Sequence, residues 1–399
     1  MHSPLPGYQE ALDAAISPSW LKTPVVRVDL EEARDHVLAE SLIADRDIPP
    51  FNRAAMDGYA IRHGDLSTDV PIACDRFISA GTMSDMETPR GTCVRIATGA
   101  PVPADLDTVI PHEMSDRGSP VTFQASVEHG NAIHARGSDA KAGDVICPAG
   151  TSLRPVELGL AATIGRTSLM VHQPARIAIV TSGDEIVPID RRPDAHQIRN
   201  SNLTMIRSLL ETMGGDVTST RWVPDDEKVT MEAITVEDVD MVITIGGISA
   251  GERDAFRGPI DSIAGLSPVR GVAMQPGRPV WVTGTQVNGQ WRPIISLPGN
   301  PVSALSTCCL FVWPLMKLLH GMSAELPWST GQLGSETRRN PRRRRFRPVC
   351  TDALGMLHVP HWQGSGDLVH ASLTRGLVDI EAGSQPMQAG TLVRWLPWP

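Results

Sequence analysis

The sequence predicts a multidomain protein that combines α/β architecture with β-rich architecture, and three observations carry that expectation. Its 399 residues exceed what a single hydrophobic core normally holds, so two to four domains are expected. Residues 175–320 alternate apolar runs with amphipathic segments, the pattern of a parallel sheet covered by helices on both faces. Residues 44–134 and 322–399 instead break into short strand-like pieces separated by Gly, Pro and Asp, the texture of β-rich domains.

In chain order, residues 8–16 and 29–42 read as helices, the second ("DLEEARDHVLAESL") with acids in its first turn. "VRIATGAPVP" and "SPVTFQASVE" are typical of the β-rich stretch. "GDVICPAGTSLRPVELGLAATIG" then gives a strand followed by a helix that Pro155 can open. In the α/β stretch, "RIAIVTSGDEI" is an apolar strand ending in a glycine turn. "NSNLTMIRSLLETMGG" is a helix with an Asn/Ser cap, apolar residues at 203, 206, 209, 210 and 213, and a terminal Gly. "DVTSTRWV" is a strand, "PDDEKVTMEAI" a helix opened by acids, and "DMVITIGG" another strand. "PVWVTGTQVNGQWRPIISL" reads as a hairpin around Asn288-Gly289, and "NPVSALSTCCLFVWPLMKLLHG" as a closing helix that ends near Gly321.

Composition narrows the function classes. Hydrophobic residues make up 41% and charged residues 20%, an ordinary globular balance. The net charge of −9 argues against a general nucleic-acid binder. The longest apolar candidate for a membrane span, "LFVWPLMKLL", is short and interrupted by Pro314, and the N-terminal residues lack a signal-peptide pattern, so a cytoplasmic location without membrane insertion is expected. Six cysteines show no C-x-x-C pair, which suits reduced packing thiols. One segment departs from the acidic average: "RRNPRRRRFR" at 338–347 holds seven arginines. It reads either as a solvated strand edge, where like charges discourage edge pairing, or as an anion site.

The chemistry concentrates at strand ends. In an open α/β sheet ligands bind beyond the carboxyl ends of the strands. "TIGGISAG" at 244–251 ends a buried strand with glycines that let backbone approach an oxyanion. It is neither a P-loop nor a G-x-G-x-x-G fingerprint, and a tight turn with Asp254 as a helix cap is the plainer alternative. Four more turns repeat the theme: "TSGDE" with Asp184 and Glu185, "VPDDEK" with Asp225 and Asp226, "QPGRP" at 275–279 and "LPGNP" at 297–301. Carboxylates gathered at several strand ends suit a divalent cation held against an anionic ligand, because Mg2+ takes carboxylate, water and phosphate oxygens.

Taken together and in order, "FNRAAMDGYAIR", "IATGAPVPADLDTVIPHE", "RGSDAKAGDVICPAGTSL", "IAIVTSGDEIV", "ITIGGISAGERD", "MQPGRP" and "LPGNPVS" resemble the MoeA family of molybdopterin molybdenumtransferases, related to the E domain of gephyrin. The resemblance spans nearly the whole chain. It implies a MogA-like three-layer α/β domain, a discontinuous β-rich domain and a small C-terminal β domain. The boundaries expected are 1–20 for a helix packed on the α/β domain, 21–43 with 135–174 for a linking α/β domain, 44–134 for the β-rich domain, 175–321 for the MogA-like domain and 322–399 for the last. The implied reaction inserts molybdenum from molybdate into adenylylated molybdopterin with release of AMP, on a homodimer, with Mg2+ assisting.

Carried over by position, the resemblance implies catalytic roles for Asp57, Thr98, Glu185, Asp225 and Asp254, with Asp225 and Asp254 as the metal-associated pair. Asp57 and Thr98 would serve a cleft on the other protomer, although a turn cap and a strand-end hydrogen bond are their plainer roles. Asp139 matches a further family acid or holds a turn. Gly246, Gly247, Ser249 and Gly251 would cradle phosphates, Pro298 and Pro301 would shape the cleft floor, and Gln275, Arg278 and Arg343 would stand at the molybdate site. Two positions depart from the family pattern: Gln275 replaces the first lysine of Lys-Pro-Gly-Lys, and His134 replaces an arginine. Charge-assisted hydrogen bonds are roughly twice as strong as neutral ones, so both departures weaken an oxyanion site. They leave room for an alternative: a gephyrin-like scaffold that binds a peptide of a receptor, cytoskeletal or cell-division partner in the groove between the α/β and C-terminal domains.

Overall fold

The computed structural model describes residues 5–82, 86–224, 226–248 and 255–399. The chain forms two compact units. One comprises the residues up to Glu40, Ala149–Arg154 and Ser168–Pro399; the other comprises Ser41–Pro148 and Pro155–Thr167.

The first unit is built on a six-stranded sheet. Its strands run in the order Gly215–Val223, Ala175–Ser182, Met241–Ile245, Gln290–Leu297, Trp281–Val287, Leu266–Arg270. The first four are mutually parallel, and Trp281–Val287 runs against them and pairs antiparallel with both of its neighbours, so the sheet is mixed where the sequence pattern suggests a parallel one. The reversal happens at the hairpin: Asn288 and Gly289 both take positive φ, 50° and 79°, the conformation of a two-residue I′ turn. Alternate residues of each strand enter different layers. Ile177, Ile179, Met241 and Ile243 join the core beneath Ile206 and Leu210 of the Ser201–Thr212 helix. Ala178, Val180 and Val242 join the opposite core with Ala233, Ile234 and Ile260. The cap expected from the sequence forms, the Asn200 side chain accepting from the Leu203 amide, and of the acids expected at the next helix start Asp226 caps it by accepting from the Val229 amide.

Pro301–Leu319 is one continuous helical segment, and Pro314 does not end it. A π-helical stretch, Cys308–Val312, precedes the proline, and its wider turn accommodates a residue that has no N–H to donate. The segment has a mean hydropathy of 1.7, and it is long and apolar enough to cross a membrane. With 78% of its most apolar window buried among the strands and helices above, it is a core helix.

The same core continues into a second sheet, ordered Met274–Gln275, Arg344–Thr351, Gly376–Ile380, Leu392–Pro397, Ser329–Gln332. The arginine run therefore does not lie on a solvated edge. Its strand is flanked on both sides, Arg344 donates to the buried Asp379 at 2.5 and 2.7 Å, and Arg394 donates to the same carboxylate at 2.5 Å. Phe346 meets the edge of Tyr8, from the Tyr8–Ile16 helix, with ring centroids 4.7 Å apart.

The helix expected over 29–42 does not form. Only Leu30–Glu32 makes a helical turn, Asp35 takes φ 65°, and Val37–Leu38 pairs instead with Val171–His172. Val37 and Leu38 are both buried by that pairing, and this tertiary gain outweighs the local helix propensity of "LEEARDHVLAE".

The second unit carries a four-stranded sheet in the order Ala73–Ile78, Thr92–Ile96, Gly58–Ile61, Thr108–Pro111. Ala60, Val94 and Val109 fill the core on one face, and Tyr59, Cys93 and Ile110 on the other. The "SPVTFQASVE" segment makes isolated bridges at Val121 and Phe123 rather than a regular strand. The Pro155–Thr163 helix opens on its proline, as expected.

Candidate functional site

At the carboxyl ends of the parallel strands lies a cavity of about 740 Å3, within the size range of small-molecule sites. Ser182 and Ile245 end two of these strands at its wall, and the turns that follow bring Asp184, Glu185, Gly246 and Gly247 to it. Pro298, Gly299, Asn300 and Pro301 form the opposite side. Two helices start here, at Ser201 and Pro301, so their positive dipole ends face the space. The doubled glycine has a geometric cause. Gly246 and Gly247 take φ 86° and 56°, and a Cβ on Gly247 would lie 2.7 Å from Ser182 Oγ and 2.8 Å from the Phe256 ring. Backbone therefore lines the cavity where a side chain would otherwise stand.

A second cavity, of about 280 Å3, adjoins the first and shares Pro279, Pro298 and Asn300 with it. The "QPGRP" turn forms one wall, with Gln275 and Arg278; Arg343 and Arg345 of the C-terminal sheet form another, beside Trp362 and Ser365. Three arginines thus line a space that, among the described residues, has no carboxylate at its wall. Gly277, at φ 97°, keeps the turn tight: a Cβ there would come within 2.4 Å of Thr307 Cγ2.

The structure thus gathers the sequence-expected residues of the first unit into two neighbouring groups. Glu185, Gly246, Gly247, Pro298 and Pro301 line the larger cavity, and Gln275, Arg278, Arg343 and Pro298 line the smaller. Asp225, Ser249, Gly251 and Asp254 lie outside the described residues. Asp57, Thr98 and Asp139 belong to the other unit. There the Thr98 amide donates to Asp57 Oδ1 at 2.7 Å, a bond that holds the Asp57 carboxyl below its usual range. His134 Nε2 stands 2.7 Å from Asp139 Oδ1, and Arg53 donates to His134 Nδ1 from the far side. The hydrogen bond from His134 lowers the Asp139 carboxyl in turn. The position that departs from the family arginine therefore sits within an Arg53–His134–Asp139 chain.

A profile of the MoeA N-terminal region (domain I and II) matches residues 7–165, and one of a probable molybdopterin binding domain matches residues 178–318. Molybdopterin molybdenumtransferase 2 of Mycobacterium tuberculosis is 32% identical over 385 residues, covering 92% of this chain and 93% of the relative. The chain belongs to the MoeA family. The molybdopterin molybdenumtransferase of Haemophilus influenzae is likewise 32% identical, over 74% of this chain and 72% of its own. The molybdopterin biosynthesis moeA protein of Pyrococcus horikoshii OT3 shares the fold, with a TM-score of 0.81 at 24% identity over 99% of this chain and 100% of that one. The MoeA fold thus extends across nearly the whole chain, with β-rich N-terminal domains, a mixed MogA-like α/β domain and a C-terminal β sheet. Membership places the protein in molybdenum cofactor biosynthesis, with a molybdopterin as the substrate class of the 178–318 domain.

Among the described residues, no three His, Cys, Asp or Glu side chains gather as a metal-holding group. Asp184 and Glu185 nevertheless bring two hard carboxylates to the larger cavity. One or two carboxylates plus ligand phosphates and water is the donor set that Mg2+ takes, so these residues fit such an ion. Sequence reasoning did not single out Asn200, Asn300, Arg345 or Trp362 as lining these cavities. The signal for Asn200 was present, since a helix cap placed directly after a strand-end turn stands at the ligand edge of the sheet. Arg345 and Trp362 carried no such signal.

Proposed function

We propose that this MoeA-family protein inserts molybdenum from molybdate into adenylylated molybdopterin and releases AMP. The observation that carries the reading is the pair of adjoining cavities. One is roomy, glycine-walled and faced by two helix starts; the other is small and lined by three arginines with no carboxylate among its described residues. A phosphorylated nucleotide fits the first, and a tetrahedral oxyanion the second. Helix starts and backbone amides favour the phosphates, and closely held cations stabilise an oxyanion beside the phosphoanhydride that must break.

In this proposal Glu185 and Asp184, with Asp225 and Asp254 as the metal-associated pair, would hold Mg2+, which would supply charge neutralisation at the phosphates. Ser249 and Gly251 would serve the same phosphates. Arg278 and Arg343 orient molybdate, and Pro298 and Asn300 sit where the two ligands meet. The enzyme works as a cytoplasmic homodimer, with Asp57, Thr98 and Asp139 contributed to the partner's cleft.

The test is complementation of a molybdenumtransferase-deficient strain, together with AMP release from adenylylated molybdopterin by the purified protein. Activity in both supports the reading; neither, at good expression, would favour a scaffold instead. Light scattering should show a dimer that persists in Asp57→Ala while AMP release falls at least tenfold. A stable monomer at micromolar concentration would remove the shared-cleft part of the proposal.

A further inference from the structure

The Arg344–Thr351 strand carries its arginines on two faces, and the faces are treated differently. Arg344 points to the side where the buried Asp379 accepts both of its nitrogens. By the two-residue period of a strand, Arg345 and Arg347 point to the other side. Neither has a carboxylate partner among the described residues. Arg345 Nη1 donates to the Arg338 carbonyl at 3.0 Å, but its Nε is buried without a partner, as is that of Arg347. Arg347 lies over the Trp362 ring, 4.6 Å from its centroid. Burial, and then the charge of Arg345, push its guanidinium down to about 10. Burial lowers Arg345 as well. Like charges crowded and partly desolvated on one face raise each other's free energy, and an anion placed among them relieves it.

The register shows where that anion would sit. Met274–Gln275 pairs in parallel with Arg344–Arg345, so Gln275 and Arg345 stand side by side on adjacent strands. Both reach the smaller cavity, where Gln275 presents only a neutral amide, its Oε1 accepting from Asn340 at a long 3.4 Å.

We infer that Arg345 supplies the oxyanion-binding cation that Gln275 does not, so that Arg278, Arg343 and Arg345 hold the tetrahedral oxyanion together. The inference rests on the molybdenumtransferase reading of the smaller cavity and names a charge relocated by one strand. Among these three, Arg345 is the group that a change of residue at 275 would make redundant.

The experiment measures molybdate binding to the full-length protein by equilibrium dialysis, with AMP release followed in parallel. Arg345→Gln should weaken molybdate binding about tenfold or more, the scale of one charged hydrogen bond. Gln275→Lys added to Arg345→Gln should recover most of that loss, and Arg345→Lys should retain part of the affinity. Rescue by a neighbouring lysine also shows that Arg345→Gln is folded. Arg345→Gln binding molybdate as the parent does, while the parent releases AMP, overturns the inference and leaves the proposed function standing. A weakened Arg345→Gln that neither lysine substitution improves also overturns it, since Arg345 would then be acting on the fold. A parent that neither binds molybdate nor releases AMP removes the proposed function and the inference with it.

Discussion

Replacing Gly247 by alanine tests whether the turn after the Met241–Ile245 strand is built as described. Two costs follow from the structure. At φ 56° an alanine occupies the left-handed region, which costs a non-glycine residue about 1–2 kcal/mol. The added Cβ would also lie 2.7 Å from Ser182 Oγ, 2.8 Å from Phe256 Cδ2 and 3.3 Å from Ala255 Cβ. Ser182 Oγ can rotate away, but Phe256 is fully buried and cannot, so overpacking adds roughly 1–3 kcal/mol. The sum, about 2–5 kcal/mol, corresponds to a fall of about 3–9 °C in the melting temperature of a unit this large. Scanning calorimetry of the full chain reads it directly. Gly299→Ala is the control: its Cβ would meet only the Gly246 Cα, at an ordinary 3.6 Å, so stability should change by less than about 0.5 kcal/mol while the larger cavity narrows. A Gly247→Ala protein that melts within about 1 °C of the parent would refute the turn geometry, and with it the claim that backbone lines the cavity there.

Two further outcomes are expected. The buried His320 accepts the Ala175 amide at Nε2, and burial, then the charge of His172, push its pKa from 6.5 down to about 4. Between those values the unfolded chain binds a proton that the folded protein refuses, so stability falls as pH drops from about 6.5 to about 4, by up to roughly 3 kcal/mol; His320→Gln should flatten that slope in urea titrations, and an unchanged slope would contradict it. Asp379→Ala removes the acceptor shared by Arg344 and Arg394 and should cost about 3 kcal/mol, toward the lower end for a broken buried pair because both arginines are partly exposed; a loss below about 1 kcal/mol would show that the pairing is dispensable.

What was legible in the sequence was whatever local chemistry fixes. Asn200 and Asp226 cap their helices, Pro155 opens one, and Asn288-Gly289 turns the hairpin, each through interactions within a few residues. The residues at 29–42 misled because their helix-like spacing is overridden by a partner strand at Val171–His172, more than a hundred residues away. The arginine run had the same problem: nothing near it announces Asp379, Tyr8 or the Met274–Gln275 strand, which turn a candidate edge into an inner strand. At the site, the glycine turns, Glu185, Arg278 and Arg343 were readable as motifs. Arg345 was not, because its place depends on register across two distant segments.

That register has a consequence for modularity. The segment from Met274 to Arg278 leaves the α/β sheet, lends Met274 and Gln275 to the C-terminal sheet as its end strand beside Arg344–Thr351, and the chain returns to the α/β sheet at Trp281. The molybdopterin-binding domain matched at 178–318 therefore cannot be excised whole. Cut out alone, it would keep the larger cavity almost entire: among the described residues that line it, only Gly366 lies outside 178–318. The smaller cavity would lose Arg343, Arg345, Trp362, Gly364 and Ser365, and its remaining wall would lose the strand that braces it. Under the proposed function, nucleotide recognition would thus be portable on this scaffold, whereas the oxyanion pocket would exist only where the α/β sheet and the C-terminal sheet meet.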